Sequence, residues 1–217
     1  MSFNKSHVQE LMAEFQSNHV VMVAVCKGRT RAEINELVAL GVTHIGENRL
    51  QEAQEKLMGL PSGITKHFIG HLQTNKAAGV VHLFDVIQSV DRLKLAQAID
   101  RAAEQAGKVM PVLIQVNTSL EPQKRGVSPS ELEALVRDMM VLSHLRIVGL
   151  MTLAVRSTDS VLVRQNFKKL RELFDLIKTK NPSLELKYCS MGMSGDYPLA
   201  LSEGATMVRI GRGLFSD

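Results

Sequence analysis

The most informative stretch of the chain is residues 20–28, whose sequence is VVMVAVCKG. Seven apolar, mostly β-branched residues lead directly into a lysine and a glycine. A continuous apolar run of this length predicts a strand that is buried on both faces, as in parallel sheets covered by helices. Ligands of such folds bind at the carboxyl ends of the strands, which places Lys27 at a ligand site.

Lys27 is open to two interpretations. In a dry pocket, a lysine loses its proton more easily and becomes a nucleophile towards carbonyl carbon. On an exposed strand end, its ammonium group simply extends into water, as it does for most lysines. The rest of the sequence has to decide between the two.

The remainder of the chain alternates between strand and helix patterns. Eight strands are predicted, at residues 20–26, 42–45, 67–69, 84–88, 112–116, 146–151, 184–189 and 206–210. Helices are predicted at residues 4–18, 31–40, 48–58, 75–81, 91–106, 160–179 and 195–203, with a further helix capped by Ser128 and begun by Pro129. Without any Pro-, Gly- or Ser-rich linker, this order favours an α/β fold with one closed (β/α)8 TIM-type barrel and an extra N-terminal helix, a single domain over residues 1–217. A doubly wound open sheet is the structural alternative.

Composition and charge narrow the class of protein. Hydrophobic residues make up 45% of the 217 residues, and the formal net charge is +4. This charge is too small and too evenly spread to favour nucleic acid, whereas it suits an anionic small ligand. No signal peptide is predicted, and no apolar run approaches the roughly 20 residues that span a bilayer. Cys26 and Cys189 fall in predicted buried strands, as thiols of a reducing compartment do, so we expect a cytoplasmic protein.

Polar side chains occur at or just past the carboxyl ends of the predicted strands. They are Lys27, Asn48, His71, Gln88, Asn117, Thr152, Ser194 and Arg209. In a barrel these ends meet at one mouth, where active sites are built. Because side chains alternate along a strand, an inward-facing Lys27 requires Val23 and Val25 to point inward as well. On the last strand, Met207 and Arg209 point inward in the same way.

Two glycine-containing loops follow the last two strands. Residues 190–196 read SMGMSGD and lead into a helix, and residues 209–213 read RIGRG. Loops at these positions form the usual phosphate site of barrels, because glycines let backbone N–H groups approach phosphate oxygens and Ser194 adds a hydroxyl donor. A Schiff-base lysine and a phosphate site at one mouth suggest pyridoxal phosphate (PLP), whose aldehyde and phosphate need that pair. Ordinary turn chemistry is the alternative explanation of the glycines.

Motifs spread in order over nearly the whole chain point to a known family. They are AVCK at 24–27, GENRLQEA at 46–53, HFIGHLQTNK at 67–76, GLMT at 149–152, SMGMSGD at 190–196 and MVRIG at 207–211. These motifs resemble the pyridoxal phosphate homeostasis protein family. The resemblance implies a PLP-binding barrel of fold type III, similar to the N-terminal barrel of alanine racemase, with the cofactor on Lys27 as a Schiff base. It also implies that Ser194 and the backbone at Gly211 hold the phosphate. It further places Arg209 beside the pyridine nitrogen and Asn48 after the second strand.

Three positions depart from that family's pattern. The residue before the lysine is usually serine and is Cys26 here, which changes little if its side chain faces the helices. Arg212 stands where a small hydroxyl residue often follows the strand-eight glycine, so its charge either strengthens phosphate binding or points to solvent. The family's terminal Phe-Gly is Phe215-Ser216 in this chain, which concerns the closing helix more than the site.

The predicted function is the binding and management of PLP, without established turnover of a substrate. A PLP-dependent amino-acid racemase is the alternative, and a lyase that joins Lys27 to a sugar phosphate is a third possibility. In alanine racemase the second base is a tyrosine of a second domain, whereas the tyrosines here are Tyr188 and Tyr197. We expect PLP-dependent apoenzymes as recipients of the cofactor, a monomer, and neither nucleic acid nor membrane as a partner.

Two further groups of polar residues have structural interpretations. His67 and His71 flank a predicted strand, but no third ligand follows at a metal-site spacing, so we expect no metal site. Glu47, Glu52 and Glu55 are interpreted as the solvated face of a helix.

Overall fold

Eight parallel strands form a closed barrel in the computed structural model, which describes residues 4–215. The strands are β1 (Val21–Val25), β2 (His44–Glu47), β3 (Thr65–Phe68), β4 (Val86–Val90), β5 (Met110–Gln115), β6 (Leu145–Met151), β7 (Tyr188–Met193) and β8 (Met207–Ile210). The helices are α1 (Lys5–Ser17), α2 (Arg31–Ala39), α3 (Leu50–Leu57), α4 (Ala77–Leu83), α5 (Leu93–Gln105), α6 (Leu132–Met139), α7 (Ser160–Lys180), α8 (Tyr197–Ser202) and α9 (Arg212–Phe215), with a 3₁₀ helix at Thr74–Lys76. Because β8 pairs with β1, the sheet closes. The predicted (β/α)8 barrel with an extra N-terminal helix is confirmed, and the open sheet is excluded.

Side chains alternate along β1 as predicted. Met22, Ala24 and Cys26 lie in the apolar layer between the barrel and the helices, together with residues of α1. Val23 faces the barrel interior, where a Cβ added to Gly46 would lie 2.9 Å from a Val23 methyl carbon. The close contact explains why β2 carries glycine at that position.

Strand β8 follows the same rule. Val208 and Ile210 pack in the outer apolar layer. Met207 faces inward, where its sulfur accepts a hydrogen bond from Gln88 Nε2 at 3.2 Å. Arg209 also bonds to groups inside the barrel, so both inward predictions for this strand are confirmed.

Three strands are shifted towards the carboxyl end relative to the prediction. They are β2, β4 and β7, which were expected at residues 42–45, 84–88 and 184–189. The apolar Leu184 and Leu186 led to the prediction that β7 begins at residue 184. In the structure, however, the N–H of Leu184 donates to the Asn181 carbonyl oxygen and that of Leu186 to the Leu184 carbonyl oxygen, so both form local turns and do not pair with β6. As a consequence, Gln88 and Ser190 lie within strands, not in the loops of the mouth.

Capping differs between two of the helices. Thr30 and Glu33 form a capping box at the start of α2, in which each side chain accepts from the other's backbone N–H. The predicted cap at Ser128 with the following proline is wrong. The Ser128 hydroxyl donates to the Glu131 carboxylate at 2.6 Å, and the helix begins only at Leu132.

Both cysteines are buried free thiols, as predicted. Burial raises the pKa of Cys26 and of Cys189 to about 12, so neither is a reactive thiolate. Within residues 4–215, no helix combines the length and the apolar character needed to cross a membrane. Ser216, one of the positions that depart from the family pattern, lies outside the described residues.

Candidate functional site

Lys27 lies in a tight turn at the carboxyl end of β1. The N–H of Arg29 donates to the carbonyl oxygen of Cys26 at 3.1 Å. Gly28 has a φ of +70°, the left-handed conformation that a type II turn needs at its third residue. The Lys27 side chain is exposed. Of the two interpretations of Lys27, the structure supports the exposed strand end over the dry pocket, because β1 ends at Val25 and the lysine lies on the corner of the following turn.

A buried ion pair supports this turn from the helix side. Lys56 Nζ on α3 lies 3.1 Å from Glu47 Oε1 and 3.4 Å from the carbonyl oxygen of Cys26, so it links the ends of β2 and β1. Glu47 is fully buried, and burial raises its pKa above the usual value, although Lys56 opposes the change. Its assignment to a solvated helix face is wrong, because Glu47 is the last residue of β2. Glu52 is half-buried beside Lys56, and Glu55 alone of the three is exposed.

Asn48 reaches the mouth through a close approach between the ends of β2 and β3. The N–H of Ile69 donates to the carbonyl oxygen of Glu47 at 2.9 Å. A Cβ added to Gly70 would lie 2.1 Å from the Asn48 carbonyl oxygen, so only glycine fits there. The half-buried Asn48 side chain is thus held at the carboxyl end of β2, where it was predicted.

Ser194 and the glycines after β8 form a group of convergent donors, called the donor cradle from here on. Ser194 Oγ accepts from the N–H groups of Gly211 at 3.2 Å and of Gly213 at 3.0 Å. A Cβ added to Gly213 would lie 3.3 Å from Ser194, so the approach is close. With both lone pairs engaged, the Ser194 hydroxyl hydrogen is left to donate. Because Ser194 Oγ accepts the N–H groups of Gly211 and Gly213, the donor that the cradle offers directly to an anion is the Ser194 hydroxyl.

Arg209 lies in the barrel interior and is only 4% exposed. Its two terminal nitrogens donate to Ser190 Oγ and to the carbonyl oxygen of Thr152, each at 2.7 Å. Burial lowers the pKa of Arg209 from 12.5 to about 10, with Asp196 opposing, so the guanidinium is protonated at neutral pH. Because its hydrogen-bond partners are neutral, Arg209 keeps its positive charge available to a ligand.

A line of hydrogen bonds continues from Arg209 through the barrel interior. Ser190 Oγ donates to Gln88 Oε1 at 2.7 Å, Gln88 Nε2 lies 3.0 Å from His67 Nδ1, and His67 Nε2 lies 2.9 Å from His44 Nδ1. We name Ser190, Gln88, His67 and His44 the interior chain. The interior chain was not predicted, because Gln88 and Ser190 were expected at the mouth. The available signal was a polar residue at an inward-facing position of an apolar strand.

The other polar residues predicted at the mouth serve other purposes. Asn117 Nδ2 donates to two carbonyl groups of its own loop. The Thr152 hydroxyl donates to the Val116 carbonyl oxygen, and its backbone carbonyl holds Arg209. His71 is exposed. In the part of the chain that the structure describes, no three His, Cys, Asp or Glu side chains cluster as a metal ion would require.

Comparison with known proteins identifies the family. The family model described as "Alanine racemase, N-terminal domain" matches residues 3–217. The pyridoxal phosphate homeostasis protein of Synechocystis sp. is 38% identical over 217 residues, which cover 99% of each chain. That of Pseudomonas aeruginosa is 40% identical over 200 residues, 90% of this chain and 84% of the relative. This chain belongs to the pyridoxal phosphate homeostasis protein family.

Solved structures show which folds this member of the pyridoxal phosphate homeostasis protein family resembles. PipY of Synechococcus elongatus PCC7942, solved with PLP bound, is 38% identical with a TM-score of 0.87, over 96% of this chain and 100% of PipY. An alanine racemase from Clostridium difficile 630 has a TM-score of 0.76 at 15% identity, over 96% of this chain and 59% of the racemase. At that identity, the racemase shows only that the barrel fold is shared.

Both tyrosines of this homeostasis-family member are committed to other contacts. Tyr197 Oη donates to the Glu14 carboxylate at 3.4 Å, and its ring packs edge-on against Phe15. Burial and Glu14 raise the Tyr197 pKa, which weakens it as a proton donor. Tyr188 packs against Val86 and the other apolar residues inside the barrel.

Proposed function

We propose that this chain binds PLP at the barrel mouth and takes part in intracellular PLP homeostasis. The observation that carries the proposal is that one end of the barrel brings together an exposed primary amine at Lys27, the donor cradle and the buried cation Arg209. These groups suit the aldehyde, the phosphate and the pyridine nitrogen of PLP. The relatives named for PLP homeostasis, and PipY with PLP bound, support the same ligand.

Each residue has a distinct role in this proposal. The Lys27 amine forms a Schiff base with the PLP aldehyde, and the aldehyde oxygen leaves as water. The Ser194 hydroxyl donates to a phosphate oxygen, and the N–H group of Gly211 exchanges its bond to Ser194 Oγ for one to a second phosphate oxygen. Arg209 donates an N–H to the pyridine nitrogen, and its positive charge keeps that nitrogen unprotonated. Asn48 lines the side of the mouth formed by β2.

We further propose that the chain does not racemise amino acids. Racemisation needs a base on each face of the substrate's α-carbon, and the contacts of Tyr197 and Tyr188 support neither as the second base. Arg209 beside the ring nitrogen also weakens the ring as an electron sink. Exchange of α-protons in deuterated water should be undetectable for alanine and other amino acids. Turnover of about 1 per second or faster that disappears in Lys27→Ala would overturn this conclusion.

The proposal extends to the cellular setting. Apoenzymes that require PLP are the recipients, and residues 1–217 act as one monomeric, cytoplasmic PLP-binding domain. Neither nucleic acid nor a membrane is a partner. The small, evenly spread net charge of +4 supports the absence of a nucleic-acid partner, and the free thiols of Cys26 and Cys189 support a reducing compartment.

Borohydride reduction followed by peptide mass spectrometry tests the covalent attachment. Protein loaded with PLP should absorb near the visible edge and, after reduction, carry one cofactor mass on the peptide that contains Lys27. Lys27→Ala should lose this label, whereas the control Lys178→Ala, on the exposed face of α7, should keep it.

Two outcomes would contradict the proposal in different ways. Full labelling of another lysine in Lys27→Ala would move the attachment site but keep PLP as the ligand. Absence of the absorbance band in the parent protein would remove PLP itself and favour the sugar-phosphate lyase.

A further inference from the structure

The direction of every hydrogen bond along the interior chain follows from its chemistry. Arg209 can only donate, so Ser190 Oγ accepts from it and the single Ser190 hydrogen goes to Gln88 Oε1. Because the Gln88 oxygen faces Ser190, its NH₂ group faces His67 Nδ1 at 3.0 Å, and that nitrogen carries no proton. His67 Nε2 therefore holds the ring proton and donates to His44 Nδ1 at 2.9 Å.

His67 is neutral in this arrangement. Its side chain is 1% exposed, and burial, helped by His44, lowers its pKa to about 3. Gln88 and Ser190 are fully buried. The interior chain thus contains no ionised group between His44 and Ser190. The only charge in contact with it is the guanidinium of Arg209.

Gln88 is the residue that sets which atom donates and which accepts in the hydrogen bonds of the interior chain. It accepts from Ser190 on one side and donates to His67 on the other. Without the Gln88 oxygen, the Ser190 hydroxyl hydrogen would lose its acceptor, and the orientation of the lone pair that Arg209 uses would no longer be fixed. The guanidinium would then keep only its bond to the Thr152 carbonyl oxygen and could swing about that contact.

We propose that Gln88 and Ser190 are positioning residues that hold the Arg209 guanidinium in the orientation in which it meets a ligand at the mouth. The inference rests on the proposed function, because the ligand that Arg209 meets is the pyridine nitrogen of PLP. The neutral partners have a second effect. They orient Arg209 without reducing its charge, which a carboxylate in place of Gln88 would do.

Gln88→Met is the variant that tests the inference. Methionine has a similar length but neither accepts from Ser190 nor donates to His67. The matched control is Ser89→Ala on the same strand, because Ser89 is equally buried and its hydroxyl has no hydrogen-bond partner among residues 4–215. Thermal unfolding of all variants establishes that the comparison is made on folded protein.

Two readouts are measured on these variants. In ligand-free protein, NMR of the Arg209 side-chain N–H groups should show slow exchange with water in the parent and Ser89→Ala, and fast exchange in Gln88→Met. The dissociation constant for PLP, from an equilibrium titration, should rise about tenfold in Gln88→Met and stay unchanged in Ser89→Ala. The absorbance of bound PLP against pH should shift in Gln88→Met alone, since the charge beside the ring nitrogen is no longer fixed.

The outcomes separate this inference from the proposed function. Unchanged Arg209 exchange and PLP affinity in Gln88→Met would overturn the positioning role. If the parent fails to bind PLP, the proposed function fails, while the exchange measurement still decides whether Gln88 holds Arg209. Should Gln88→Met not fold, Gln88→Glu replaces it. Its carboxylate still accepts from Ser190, so Arg209 should remain protected while His67 Nδ1 gains a proton, and loss of Arg209 protection there would contradict the inference.

Discussion

Glu47 and Arg209 are both buried ions near the barrel mouth, yet their surroundings are opposite. Glu47 lies between β2 and α3 with the ammonium of Lys56 at 3.1 Å. Arg209 lies inside the barrel with a hydroxyl and a carbonyl oxygen as its partners. The charge of Glu47 is paired directly with a cation, whereas Arg209 has no carboxylate among its hydrogen-bond partners and feels Asp196 only from farther away.

The difference indicates that Glu47 has a structural role, whereas the charge of Arg209 is available to interact with a ligand. Lys56 also donates to the carbonyl oxygen of Cys26, so the pair fixes the turn that carries Lys27. A buried cation with neutral partners carries a desolvation cost that an incoming ligand can offset, and such groups mark functional sites. We therefore expect substitutions at the ion pair to change the free energy of unfolding, and substitutions at Arg209 and the donor cradle to change ligand affinity.

Removing Lys56 should produce the largest effect. Lys56→Met leaves Glu47 buried without its partner and should lower the free energy of unfolding by about 3 kcal/mol. Urea denaturation of ligand-free protein measures this. Arg209→Met should cost clearly less, because it removes a buried charge that has no directly paired carboxylate. The double variant Glu47→Gln with Lys56→Met should regain most of the loss. Equal destabilisation by Lys56→Met and Arg209→Met would erase the distinction between the two ions.

Substitutions in the proposed PLP site should distinguish residues that contact the phosphate from residues that contact the pyridine ring. Ser194→Ala should weaken PLP binding by about 1–3 kcal/mol, the range for losing a hydrogen bond to a charged group. It should also weaken competition by inorganic phosphate. Arg209→Met should reduce PLP affinity but leave inorganic phosphate competition nearly unchanged. Ser202→Ala on the exposed face of α8 is the control. If Ser194→Ala binds PLP as tightly as the parent, the donor cradle is not the phosphate site.

The smallest effect should be a pH dependence of stability contributed by Glu47. Its pKa in the folded protein is raised by burial, so the folded state binds the proton more tightly than the unfolded state. The resulting stabilisation is fully present below the usual glutamate pKa and is lost as the pH rises through the raised value. The free energy of unfolding of the parent minus that of Glu47→Gln should therefore fall across this window. A flat difference would mean that Glu47 has no raised pKa.

The fold was predictable because its signals are local and repeated. The apolar run at residues 20–26 and the later apolar segments predict the strands, and glycines mark the ends of several helices between them. The approach of Ser194 to Gly211 was also predictable, because consecutive strands of a barrel are neighbours.

Other parts of the site depend on details that the pattern does not carry. The exposure of Lys27 is set by the turn after Val25, and hydrophobicity does not report turn geometry. Glu47 was misassigned because β2 ends two residues later than predicted. The bonds of Gln88 to Ser190 and His67 cross the barrel, and no sequence spacing reports such a contact.

The exposed turn that carries Lys27 has a kinetic consequence. In the proposed complex, small solutes reach the bond to the lysine amine from bulk water, and among residues 4–215 none covers the exposed Lys27. Residence time is then governed by chemical exchange at that amine. The release rate should rise in proportion to the concentration of a competing free amine, without the plateau that a conformational gate would impose.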